Sequence, residues 1–164
     1  MAARDILYIP VVLLVMGIAM FGVYNILNTS IDQMIDVPTV NESKPTVAAL
    51  EGAKSVTNRY DKIFFGLFIG LVLSLIITSW FIGAHPVFII LYLLIAMFSV
   101  ALNAIYSNVW KAFSETAALG GGVETAFPIM NHILTYLPIY GSAIAIIGMV
   151  VMFAKPYLSE GGMR

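Results

Sequence analysis

Apolar residues in this chain fall into four long runs, over 6–27, 63–82, 87–110 and 133–154, and no Asp, Glu, Lys or Arg interrupts any of them. Each is close to the roughly 20 residues that a helix needs to cross the hydrocarbon of a bilayer. Hydrocarbon offers no partner to a backbone N–H or C=O, so a spanning segment must satisfy these groups within a helix or a closed barrel. Barrel strands alternate polar and apolar side chains, and these runs do not. The pattern predicts an all-α integral membrane protein, a single membrane domain over 1–164 with four transmembrane helices.

The second and third runs are separated by "GAHP", residues 83–86. Gly83 can end a helix with a positive φ, and Pro86 suits the first turn of the next. This predicts a tight hairpin between the second and third helices at the membrane surface. His85 then lies at the interface. A metal-binding role for it would need several ligands, and His132 is the only other histidine. A proton-relay role would need a carboxylate within the spans, and the runs contain none. Pro10 lies about one turn into the first run, and Pro138 stands where it would kink or reset the start of the fourth helix. The first run exceeds the 7–15 apolar residues of a signal peptide and is followed by a poor cleavage site, so it reads as a retained anchor.

Between the first two runs lies a polar segment, 28–62. Its first half, "NTSIDQMIDVPTVNESKP", is rich in turn formers and predicts irregular or briefly helical chain. Its second half, "TVAALEGAKSVTNRYDK", predicts a helix after Pro45 that runs on into the second span, with Asp61 and Lys62 marking the membrane interface. Five acids (Asp32, Asp36, Glu42, Glu51, Asp61) and four bases (Lys44, Lys54, Arg59, Lys62) leave it nearly neutral, unlike a polybasic lipid clamp. Ile31, Met34 and Ile35 follow the i, i+3, i+4 spacing of one helical face, and they either lie in the headgroup layer or contact a partner protein. The other polar connection contains a glycine run at 120–122 that lacks the Lys and Ser/Thr of a phosphate-binding loop. It reads as a break before "AFPIMNHIL", which is expected to lie along the membrane surface.

Composition agrees with this picture. The chain is 60% hydrophobic and 10% charged with a mean hydropathy of +0.96, too little charge for a soluble exterior. A net charge of −1 gives no basis for nucleic acid as a partner, and the absence of cysteine excludes disulfides and thiol chemistry. The polar connections hold five bases (Lys44, Lys54, Arg59, Lys62, Lys111) and the terminal side three (Arg4, Lys155, Arg164). That bias favours cytoplasmic connections. Ser74, Thr78, Ser99, Asn103, Ser107, Asn108 and Ser142 lie inside the runs, where interhelical hydrogen bonding is the expected role rather than an ion pathway. Gly66 and Gly70 form a GxxxG pair, and Gly141, Ala145 and Gly148 share a face. Together with Asn103 these are the expected helix-packing positions, within the chain or between copies. Tyrosines and tryptophans near the run ends predict an aromatic belt. No constellation of catalytic residues or cofactor motif stands out, so neither enzymatic activity nor a cofactor is expected.

The run "GAHPVFIILYLLIAMFSVALNAIYSNVWKAF", followed by "FPIMNHILTYLPIYG", resembles small hydrophobic proteins of membrane-containing viruses and related prophages. In those a His-Pro-led span ends in a Ser-Asn-aromatic stretch, and a span containing Leu-Pro follows. The resemblance covers residues 83–141. It implies a virion component embedded in a lipid membrane, present in many copies beneath or within a protein shell. The expected partners are then the bilayer, further copies of the chain and capsid subunits. Two alternatives stand beside it: a non-catalytic accessory subunit of a membrane enzyme complex, and a holin-like pore former, which would need a polar face to line its lesion.

Overall fold

Charge-free apolar runs without strand alternation fold as helices here. The computed structural model describes residues 2–81, 88–116 and 122–160. The expected hairpin at 83–86, with His85, and the glycines at 120 and 121 lie outside the described residues. The elements are α1 (Ala2–Ile35), α2 (Pro38–Asn41), α3 (Lys44–Thr57), α4 (Tyr60–Phe81), α5 (Phe88–Ser114), α6 (Val123–Ala126), α7 (Pro128–Thr135) and α8 (Leu137–Glu160). Among the described residues there is no strand. Three helical stretches, Ile6–Ile35, Lys44–Phe81 and Ile89–Ser114, are each long and apolar enough to cross a membrane; α7 and α8 make a fourth if that pair, bent by 71°, counts as one span.

The long helices close into a ring: α1 packs on α5, α5 on α8, α8 on α4, and α4 on α1. Helix α7 crosses one end of this ring and touches α1, α4 and α5. Its buried side chains, Met130, Ile133 and Leu134, join Phe21, Trp110 and Phe127 in the hydrophobic core. The rings there meet edge to face, Tyr24 on Phe127 at 4.7 Å and Phe21 on Phe113 at 5.8 Å. Such pairs add about 0.5–1.5 kcal/mol each beyond their area burial.

Polarity is distributed the opposite way from a water-soluble bundle. The inward stripe of α5 carries Tyr92, Ser99, Asn103, Ser107 and Trp110, and that of α4 includes Asp61 and Ser79. The outward faces carry bare apolar side chains such as Phe81, 75% exposed, Ile90 and Ile26. Helices that face water turn their polar side outward. An apolar exterior of this extent needs a membrane or a partner to cover it.

Two boundaries differ from the expectation. Helix α1 does not yield to irregular chain at Asn28 but continues to Ile35. The turn formers in "NTSIDQ" are overridden because this extension packs against α3, burying Ile31 and pairing Asp32 with Lys54 at 2.7 Å. The helix ends where Val37, extended at φ −73° and ψ 122°, precedes Pro38, since proline disfavours helical geometry in the residue before it. Helix α8 begins at Leu137, because Ile133 and Leu134 belong to α7. The join of α3 to α4 follows expectation, with only Asn58 and Arg59 between them.

Glycine marks the close approaches. A Cβ on Gly17 would lie 2.5 Å from Leu134 Cδ1, and one on Gly148 would lie 2.8 Å from Tyr92 Oη and 3.1 Å from Leu75 Cδ2. At Gly66 and Gly70 a Cβ would meet open space. Gly17→Ala and Gly148→Ala are therefore expected to destabilise the chain by about 1–3 kcal/mol through overpacking. Gly66→Ala and Gly70→Ala should not lower the stability of the single chain and should raise it by up to about 1 kcal/mol, since alanine is the better helix former. Reversible unfolding in mixed micelles measures all four, and equal costs at the two pairs would contradict this packing.

Candidate functional site: the polar seam of the bundle

A helix interrupted inside an apolar bundle frees main-chain groups that cannot turn to water. The first interruption is Pro10, which has no N–H to give to the carbonyl of Ile6. The hydroxyl of Ser99 on α5 donates to that carbonyl at 3.2 Å, in a buried position. The second is the bend between α7 and α8. Here the N–H of Ile139 turns to Tyr136 O at 3.0 Å instead of to Thr135 O. The hydroxyl of Ser107, also on α5, donates to the carbonyl of Thr135.

The third interruption is the start of α7. Its N-cap residue, Phe127, has no side chain able to cap. Pro128 at the first position lacks an N–H, and Asn131 already donates to Phe127 O at 2.9 Å. The N–H groups of Ile129 and Met130 remain, and Asp61 accepts both, at 3.2 and 2.8 Å, one on each carboxylate oxygen. Asp61 is 7% exposed and sits in the first turn of α4. A helix N-terminus normally receives its cap from the preceding residues. This one receives a carboxylate from another helix, whose negative charge also favours the positive end of the α7 dipole.

The remaining contacts of the seam lock α5 to its neighbours. Tyr92 Oη donates to Ala145 O on α8 at 2.9 Å, and Trp110 Nε1 donates to Asn131 Oδ1 on α7 at 2.9 Å. Midway between Ser99 and Ser107, Asn103 is 1% exposed, and neither its Oδ1 nor its Nδ2 has a partner. Its amide lies against Gly141, where no Cβ could be accommodated without displacing it. Ser79 on α4 is likewise buried with an unpartnered hydroxyl.

Of the expected helix-packing positions, Asn103, Gly141, Ala145 and Gly148 come together where α5 meets α8. Gly66 and Gly70 lie on the outward face of α4, so within one chain they bring no helix close. Ser99 and Ser107 bond across helices. Thr78 and Ser142 instead bond back to their own helix, at Ser74 O and Pro138 O. Of the expected partner contacts, Ile31 is 4% exposed and belongs to the packing of α1 on α3, while Met34 is open at 52% and Ile35 is half-buried. Tyr92 and Trp110, read as members of an aromatic belt, are core residues. Asp61, read as an interface marker, is the clasp on α7. The sequence carried a signal for it: a Pro-initiated amphipathic segment, preceded by Phe127 rather than by a capping residue, has to borrow an acceptor from elsewhere.

The hydroxyls of Tyr92, Ser99 and Ser107 each donate to a main-chain carbonyl. Both oxygens of Asp61, the one buried carboxylate among the described residues, accept from amides. The arrangement fastens helices to one another. No protein family, curated protein or solved structure matches this chain.

Removal of the clasp leaves two amides of α7 unpaired, that of Met130 buried and that of Ile129 half-buried. Asp61→Ala is expected to lower stability by about 2–3 kcal/mol, since the lost bonds are to a charged acceptor. Asp61→Asn, which keeps one acceptor, should cost less. Amide hydrogen exchange at Ile129 and Met130 should accelerate in the alanine variant ahead of mid-helix amides of α5. Unchanged exchange at those two positions would contradict the clasp.

Proposed function

We propose that this chain is a structural, non-catalytic component of a lipid membrane. It crosses the bilayer four times, with α7 and α8 forming the fourth span, and packs in many copies in a virion membrane against a protein shell. The observation that carries this reading is the inside-out bundle: polar side chains close breaks in the helices, and apolar side chains cover the exterior. The virion assignment draws on the resemblance of residues 83–141 to proteins of membrane-containing viruses. The same distribution of polarity weighs against a pore former, whose polar side chains would have to face a lesion rather than one another.

Contact with the shell is assigned to the polar hairpin of α1 and α3. It carries charged side chains of both signs, and it presents Met34, Val37 and Val56 exposed. Ile31 contributes by holding the hairpin together. Outward-facing Gly66 and Gly70 on α4 suit close approach of a second copy.

Two measurements test this. The chain has no cysteine, so single cysteines placed at Ala84 and Ser159 report topology without background. Both should react with an impermeant reagent from the same side; reaction from opposite sides contradicts four spans. In particles purified from producing cells, the chain should be recovered with capsid protein. A variant with Met34, Val37 and Val56 changed to serine should insert into membrane but be lost from particles. Fixed-stoichiometry recovery with a membrane enzyme, or lysis on expression alone, would overturn the virion role.

A further inference from the structure

At the end of the bundle that α7 closes lies a cleft of about 630 Å³. Its walls include Lys111, Glu115, Glu124, Asn131 and His132. Among the described residues, Lys111, Glu115 and Glu124 take part in no ion pair. Only 10% of this chain is charged, so three unpaired charges around one cavity are a concentration that helix packing does not explain. Asn131 is held in place from behind by Trp110 Nε1 at 2.9 Å.

A second cavity, of about 370 Å³, adjoins the first and is apolar. Phe65 and Phe68 of α4, Ile129 and Ile133 of α7, and Tyr140 of α8 line it. Pro128 and His132 belong to both linings. The polar cleft and an apolar groove between α4 and α8 therefore border each other at Pro128 and His132 of α7. A ligand that fills both has a compact charged head joined to hydrocarbon.

The charges select the head. Lys111 contributes a formal +1 and Glu115 with Glu124 a formal −2, so these three sum to −1. An anionic head would add like charge to this. A head carrying phosphate and ammonium meets both signs, the phosphate at Lys111 and the ammonium at the carboxylates. A primary ammonium donates N–H bonds to carboxylates, and a quaternary one has none to donate. We propose that cleft and groove together bind a phospholipid whose headgroup bears a phosphate and a primary ammonium, with the head in the cleft and an acyl chain in the groove. The proposal rests on the membrane-spanning reading and is independent of a role in particles.

The test is lipid retention by the purified full chain. The chain is exchanged in detergent with equimolar phosphatidylethanolamine, phosphatidylcholine and phosphatidylglycerol of identical acyl chains, and bound lipid is counted by native mass spectrometry. Wild type should retain phosphatidylethanolamine about tenfold over either competitor, the factor that a single charge-assisted hydrogen bond supplies. Glu115 and Glu124 are exposed, so E115Q/E124Q should fold normally and lose the preference over phosphatidylcholine. Ile129→Trp, which fills the groove, should lower retention of all three lipids without changing their order. Equal retention of the three by wild type, or an unchanged preference in E115Q/E124Q, would overturn the headgroup assignment. Displacement of bound lipid by an equal concentration of soluble glycerophosphoethanolamine would overturn the groove. A chain that labels as four spans yet shows no lipid preference refutes this site alone, and the preference without that labelling pattern refutes the topology alone.

Discussion

A main-chain carbonyl or amide set free inside an apolar bundle has no water to turn to, and this constraint organises the molecule. The helices are interrupted at Pro10, at the bend before Pro138 and at the start of α7. Each freed group finds its partner on a different helix: Ser99 and Ser107 of α5, and Asp61 of α4. An unmade bond there would cost about 1–3 kcal/mol, whereas apolar contacts tolerate small slips along a helix. The closures therefore set register where apolar packing alone would leave it loose. Helix α5 is tied in this way to α1 and to α7, and by Tyr92 to α8.

The clasp at Asp61 has a further consequence. It lies at the start of α4, two short steps along the chain from the hairpin that α3 makes with α1. By holding α7 it couples the polar hairpin, the closed end of the bundle and the cleft beside Lys111 into one unit. The hairpin itself reaches the bundle through the unbroken α1 and through α3 and α4, which only Asn58 and Arg59 separate.

Much of the fold was legible in the sequence. Long runs without charge announce helices, because no other local structure satisfies their backbone. The helix that begins near Pro45 and joins the second span through Tyr60 followed from proline position and the apolar run beyond it. The extension of α1 to Ile35 did not, because the turn-forming composition of 28–33 is a local preference and the contact with α3 that overrides it is tertiary. Asp61 was legible as a polar residue at an apolar boundary but not as a clasp, since its partners are main-chain groups far along the chain. Tyr92 and Trp110 sit near run ends, where a belt and a core position look alike until the helix rotation is known. Their inward stripe with Ser99, Asn103 and Ser107 was present in the spacing, but identifying that face as the buried one requires the neighbouring helices.

The central claim is that side chains from other helices close the breaks in the backbone, and infrared spectroscopy of the chain in bilayers reads it directly. A ¹³C=¹⁸O label at Ile6 or Thr135 isolates the stretch of a single carbonyl. In wild type each should absorb at the lower frequency of a hydrogen-bonded carbonyl. Ser99→Ala should raise the frequency at Ile6 alone, and Ser107→Ala should raise it at Thr135 alone. Carbonyls that do not respond to removal of their serine would contradict the account.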